Sequence, residues 1–204
     1  VASWLLFFIH DNLQKYFYET ITIQNVKISG IRENEDRLML IERAINGRVK
    51  QKNSYLDVGS NMGIFVRYFS DNFEKVTGVE MEEYYITICK YLYPEISASF
   101  VQNNLNFARL TDIFIDEKFD VITALSMIEY IDKKEEFVSD LFALTRNICI
   151  VEGHSEDINL GYDIAYENLL KAKDWNVERL EEMTDVGTNA PANTIGRPIW
   201  ICTK

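Results

Sequence analysis

Very little in these 204 residues can break a chain or chelate a metal: three prolines, three cysteines and two histidines. So few prolines leave no room for a Pro/Gly-rich linker. No internal repeat or low-complexity tract divides the chain, whose length suits one α/β core. Cys89, Cys149 and Cys202 form no CxxC pair. An odd number at such spacings fits reduced, buried thiols in a cytoplasmic protein, not a disulfide framework. His10 and His154 stand apart from any cluster of His, Cys and Asp, so no metal site is expected. Long apolar runs are missing as well. Trp4–Ile9 is far too short to cross a bilayer and no basic residue precedes it, so neither a transmembrane helix nor a convincing signal peptide is expected. A first residue Val in place of Met fits a chain whose true start lies upstream.

Basic residues are scarce too. Acids outnumber bases 32 to 21, giving a formal net charge of −11 and a pI near 4.7. Such a chain repels polyphosphate, whose binding rests on several Lys/Arg contacts, and no basic stretch interleaved with aromatics offsets that. Nucleic acid is therefore disfavoured as a substrate.

What is present is an alternation of strand-like and helix-like segments. Short apolar runs predict strands near 54–58, 75–80, 97–101, 119–125 and 147–152, with helices near 62–72, 82–93, 105–115 and 134–146. Strands alternating with helices imply a parallel sheet with right-handed crossovers. Beyond these lie a helix over Tyr162–Ala172, a strand near Asn176–Leu180, a Gly/Asn-rich loop and a final strand over Pro198–Thr203. Residues 1–49 form an extension: a helix-like pattern in Val1–Tyr18, a strand in Thr20–Ser29, then a helix whose apolar side includes Leu38, Leu40, Ile41 and Ile45.

Residues 55–65, Tyr-Leu-Asp-Val-Gly-Ser-Asn-Met-Gly-Ile-Phe, carry the most information. An apolar run enters a turn holding Gly59, Ser60, Asn61, Met62 and Gly63, and a helical pattern opens at once. A strand ending in a Gly-rich turn before a helix is expected to leave unpaired backbone N–H groups beside the sheet edge, where open α/β sheets bind ligands. Asp57, at the strand's end, would face a cationic ligand group. The spacing fails G-x-G-x-x-G, because Gly63 arrives one position early, and no P-loop pattern exists.

Asp57-Val-Gly-Ser-Asn-Met-Gly63 instead resembles the first motif of class I S-adenosylmethionine-dependent methyltransferases, an acid followed by x-Gly-x-Gly-x-Gly. Asn61 replaces the middle glycine, and Asn is the side-chain-bearing residue that best tolerates a left-handed backbone. The resemblance covers roughly residues 50–204. It implies a seven-stranded, mostly parallel Rossmann-like sheet with helices on both faces and an antiparallel last strand near 197–203. It also implies S-adenosylmethionine as cofactor. Glu80, 23 positions after Asp57 at the end of the second strand, corresponds to the family's acid on both ribose hydroxyls; the alternative is a strand-end carboxylate facing water. Met81 would lie on the adenine face. Asn104 stands where the family often has Asp on the adenine amine, although Asn103 and Asn104 read equally well as solvated turn residues. Leu105, Leu125 and Ser126 complete the expected cofactor wall.

After the fourth strand comes Ser126-Met-Ile-Glu-Tyr130, where related enzymes often read Glu-His. A phenol titrates near ~10, so Tyr130 suits hydrogen bonding or packing better than proton removal. Candidate bases are His154 at the fifth strand's tip, Glu129 and Glu152; His154 reads as readily as a solvent-exposed loop residue. Arg32, Arg37 and Arg197 could clamp an anionic acceptor or serve as surface ion-pairing residues. No Asn/Asp-Pro-Pro-Tyr signature of base-amine methylation is present. The function implied is methyl transfer to an oxygen or nitrogen of a small metabolite, sugar or glycan end. The alternatives are a non-catalytic nucleotide-binding module and an aminopropyl transferase, the latter weakened because Ser126–Glu129 lacks its expected acid pair. The N-terminal extension would lid the site, pack on the sheet edge, or join two subunits in a homo-oligomer.

Overall fold

The computed structural model describes residues 34–154, 160–181 and 196–204, Gly30, and the backbone of two short strands, β1 (Ile21–Ile23) and β2 (Val26–Ile28). The pattern in Val1–Tyr18 lies outside the described residues. β1 and β2 pair antiparallel, Ile21 opposite Ile28, so the single strand expected over Thr20–Ser29 is corrected to two. In the sequence the polar pair Gln24-Asn25 interrupts the apolar alternation at that point.

The main sheet has seven strands: β3 (Ser54–Val58), β4 (Lys75–Glu80), β5 (Ala98–Gln102), β6 (Phe119–Leu125), β7 (Thr145–Glu152), β8 (Asn176–Arg179) and β9 (Ile199–Thr203), in the spatial order β5-β4-β3-β6-β7-β9-β8. The first five are mutually parallel, and β9 runs antiparallel to both β7 and β8. β9 alone runs against the sheet, as expected of the last strand. Every residue of β3 and β6 is buried, as near-continuous apolar runs between two helix layers must be.

The helices are α1 (Glu35–Asn46), α2 (Ile64–Phe69), α3 (Glu83–Leu92), α4 (Leu110–Ile113), α5 (Lys134–Leu144) and α6 (Tyr162–Lys171). One core joins Leu40, Ile41, Ala44 and Ile45 of α1 with Tyr55, Phe65, Phe69, Val121 and Ile150. The other core, with Leu56, Ile122, Val138, Leu141, Leu170 and Trp200, lies under α4, α5 and α6. α1, although part of the segment set apart in the sequence, thus shares a core with the sheet.

The helix predicted over 105–115 shrinks to α4. The Asn104 side chain accepts from Asn106 N at 3.0 Å and its carbonyl from Phe107 N, giving the backbone a turn in place of a helix start. Chain order reverses at β3, which has β4 on one side and β6 on the other. The carboxyl ends of β3, β4, β6 and β7 therefore converge on one crevice, bringing Val58, Glu80, Leu125 and Glu152 to a common edge.

Candidate active site

At the end of β3 the chain turns through left-handed conformations at Gly59 (φ 79°), Asn61 (φ 47°) and Gly63 (φ 76°). Its N–H groups are not open to a ligand. Gly59 N and Ser60 N both donate to Val79 O at 2.9 Å, Asn61 N to Glu80 Oε2 at 2.7 Å, Met62 N to Asn61 Oδ1 at 2.8 Å, and Gly63 N to Ser60 O at 2.8 Å. The expectation of unpaired donors is corrected: β4 takes three of them and the turn itself takes those of Met62 and Gly63. What the turn presents is carboxylate. Glu80 accepts Asn61 N on one oxygen, and Met81 N (2.8 Å) and Glu82 N (3.0 Å) on the other. A carboxylate has about four acceptor positions, so roughly one remains for a ligand hydroxyl. Asp57 Oδ1 accepts Thr123 Oγ1 at 2.8 Å, and Thr123 in turn bonds the fully buried Tyr55 hydroxyl at 2.7 Å. Burial, then the neighbouring Asp57 charge, pushes the Tyr55 phenol well above its ordinary range, so it stays a neutral link.

Opposite this acidic end stands a chain of polar groups. Arg37 of α1 forms a buried ion pair with Glu152 at the tip of β7. Ser126 Oγ donates to Glu152 Oε2 at 2.9 Å, and Arg197 Nη1 donates to Ser126 Oγ. Ser126, a non-glycine at φ 55°, is pinned by its own N–H on Glu152 O at 2.8 Å.

A cavity of about 550 Å³ runs between the two ends. Of the expected cofactor residues, Asp57, Gly59, Ser60, Asn61, Glu80, Met81, Asn104, Leu105, Leu125 and Ser126 line it, as do Asn103 and the acceptor-side candidates Tyr130 and His154. Met62 is buried, Gly63 faces helix α3, and Glu129, on a short 3₁₀ turn over Ile128–Tyr130, is not among the lining residues. Glu152, weighed as a base, is fully buried and committed to Arg37 and Ser126. Of the expected clamp candidates, Arg37 and Arg197 line the cavity, and Arg32 lies outside the described residues.

Sequence reasoning missed Phe65, Tyr85, Asn106, Met127 and Ile131 in the wall, and the Tyr55–Thr123–Asp57 chain. A signal for that chain existed, because in parallel register Thr123 falls opposite Asp57.

These groups fit S-adenosylmethionine. Its ribose hydroxyls and ammonium are donors that suit the carboxylate end, and its carboxylate suits the guanidinium end. A pyrophosphate would meet Asp57 and Glu80 with no open donors in the turn. Among the described residues no group of three metal-binding side chains occurs, and no helix is long and apolar enough to cross a membrane.

Residues 56–148 match the family described as a methyltransferase domain. Solved structures share the fold. The methyltransferase domain of bacterial CtHen1 is 19% identical, over 84% of this chain and 99% of that one, with a TM-score of 0.64. WbdD is 19% identical over 86% of this chain, with a TM-score of 0.67, and this chain spans only 42% of it. An S-adenosylmethionine-dependent methyltransferase from Clostridium acetobutylicum is 10% identical, over 82% and 89% of the two chains, with a TM-score of 0.62.

Proposed function

We propose that the chain is a class I S-adenosylmethionine-dependent methyltransferase and that it methylates an oxygen or nitrogen of a small metabolite, a sugar or a glycan end, a reading supported by the match of residues 56–148 to a methyltransferase domain. One observation carries this: a single cavity is continuous from Glu80, Met81 and Asn104 to Ser126, Tyr130 and His154, leaving space beyond the cofactor wall for a second molecule. When bound, S-adenosylmethionine supplies an already activated methyl group, so the protein's task is chiefly to align the acceptor and exclude water. Glu80 accepts from the ribose, Asp57 faces the cationic portion, and Met81, Asn104 and Leu105 form the adenine wall. Tyr130 orients the acceptor, and His154 takes its proton where the acceptor is a hydroxyl. An amine arriving neutral needs no base.

α1 closes the acceptor end, a role supported by Arg37 in the cavity wall. The buried free thiols suit a cytoplasmic setting. Incubation with S-adenosylmethionine and a metabolite extract should release S-adenosylhomocysteine above the level without extract. Cofactor binding with no such release would leave the alternative, a nucleotide-binding module without catalysis.

A further inference from the structure

Residues 103–106 line the cavity, and the next residue, Phe107, stands 90% exposed. It is the last residue of a turn, its N–H donating to Asn104 O at 3.0 Å. Asn106 ties that turn to the loop after β6: its amide donates to Tyr130 O at 3.0 Å and accepts from Asp132 N at 3.0 Å. Tyr130, on that second loop, is 64% exposed although it lines the cavity. Single exposed apolar side chains are ordinary. Large rings on two loops clamped together at the opening of a cavity make a patch, and such patches mark contact with something else. A second hollow of about 120 Å³ adjoins the first, sharing Leu105 and Asn106 with it and holding Phe107 and Phe137 in its wall. Its charged residues pair among themselves, Arg109 with Asp140 and Lys133 with Glu136.

Inside the opening the surface on offer is apolar. Leu125, Met127 and Ile131 line it, and Met127 lies across Gly59 so closely that a β-carbon there would collide with its sulfur. The polar groups hold one another: Arg37 pairs with Glu152, and Ser126 joins Glu152 to Arg197. Glu152 is fully buried, and the guanidinium end serves the cofactor's carboxylate in the placement above. A sugar brings several hydroxyls, each costly to bury without a partner. A ring with a single reacting polar group asks much less of this wall. Thioethers and aromatic rings attract one another, and rings prefer offset or edge-on contact with rings. An uncharged ring also meets no repulsion from a chain of net charge −11.

We infer that the methyl acceptor is aromatic, a phenol or an arylamine, and that Phe107 is a residue that selects it. This deepens the methyl-transfer reading above and rests on it. The acceptor's ring system leans on Phe107 and Tyr130 at the opening, with its oxygen or nitrogen directed inward. That atom forms the new bond to the methyl carbon, and the carbon–sulfur bond breaks with its electron pair left on sulfur. A phenol's proton goes to His154; an arylamine arrives uncharged at neutral pH and gives its proton to solvent.

The test uses the whole protein, S-adenosylmethionine tritiated on its methyl group, and a metabolite extract split at neutral pH into fractions retained and not retained by a reversed-phase column. Label should enter the retained fraction, in products that carry an aromatic absorption band. Phe107→Ser should raise the apparent KM, read from dilutions of that fraction, roughly twofold to tenfold while kcat changes little. Phe107→Tyr should keep it near the wild-type value. Affinity for S-adenosylhomocysteine, measured by calorimetry, should be the same in both variants as in the wild type, which also verifies folding.

Labelling confined to the unretained fraction, labelled products without an aromatic band, or an unchanged apparent KM in Phe107→Ser would overturn the inference and leave methyl transfer standing. A tenfold drop in S-adenosylhomocysteine affinity in Phe107→Ser would overturn it too, reassigning Phe107 to the cofactor. Label entering neither fraction removes the methyl-transfer reading and this inference with it.

Discussion

Glu80 has two tasks that a single alanine would confound: it caps three backbone N–H groups of the loops around it and offers its remaining acceptor position to the cavity. Glu80→Gln keeps the size and half of the acceptors but puts an NH₂ where N–H groups already point. Cofactor affinity should fall roughly tenfold to a hundredfold, consistent with losing a charge-assisted bond of about 1.5–3 kcal/mol, as calorimetry would register. Unchanged affinity would remove Glu80 from the cofactor's contacts. Thr123→Val tests the neighbouring chain. It preserves shape while leaving the Tyr55 hydroxyl and one Asp57 oxygen without their bridge, so stability should drop by about 1–3 kcal/mol in denaturant titrations. The thiols give a third check at this scale. Burial pushes Cys89 and Cys202 up to about 12 and raises Cys149 well above its usual range. A raised folded-state value means the thiolate is disfavoured in the native protein. Their contribution to stability is therefore full below the unfolded value near ~9 and is lost as pH rises toward about 12. Native protein at mildly alkaline pH should give no reaction with a disulfide thiol reagent, and denatured protein should give all three equivalents. Fast labelling of any thiol in the native state would contradict that burial.

Among the elements, the β3 turn depends on what packs behind it. A methyl group on Gly63 would lie 2.4 Å from Cys89 Sγ on α3 and 3.4 Å from a Phe100 ring carbon, in a backbone region that L-residues avoid. Bulk at Gly63 presses on α3, because the turn is wedged between β4 and that helix. Gly63→Ala should cost about 2–4 kcal/mol of stability from strain plus crowding. Adding Cys89→Ala should recover the crowding part only, a non-additive cycle readable from thermal or denaturant midpoints. Cofactor affinity per folded molecule should be close to wild type in Gly63→Ala; a collapse of affinity would put Gly63 in the site itself. The same elements show what the sequence could convey. Strand positions and the acids Asp57 and Glu80 were legible, because buried parallel strands are apolar runs and the acids stand at their ends. The shortened α4 was not, because Asn104's side chain decides it through a local bond that apolar periodicity does not register. Arg37 and Arg197 looked like surface residues among acids, and their burial depends on β7 and β9 pairing at Glu152 and Ile199, a contact between distant segments.

For the whole molecule, charge decides which partners can approach. A net charge of −11 sets an unfavourable field for any polyanion, and local cations would have to overcome it. Several of those described at the surface stand beside carboxylates: Arg48 with Glu178, Arg67 with Asp71, Lys75 with Glu117, Arg109 with Asp140, Arg146 with Asp120, Lys171 with Glu167 and Arg179 with Asp163. A phosphate backbone would have to displace those partners one by one, and each displacement returns a carboxylate to face it. Arg37 and Arg197 are buried in the cavity wall, out of reach of a duplex. Short DNA and RNA oligonucleotides, single- and double-stranded, should therefore show no saturable binding by fluorescence anisotropy at low salt, with or without S-adenosylhomocysteine. Proteins that neutralise several phosphates lose affinity steeply as salt rises, with a log–log slope of about −0.9 per contact on duplex DNA. Saturable binding with a slope of several units would overturn the small-molecule reading and shift the acceptor to a nucleic acid.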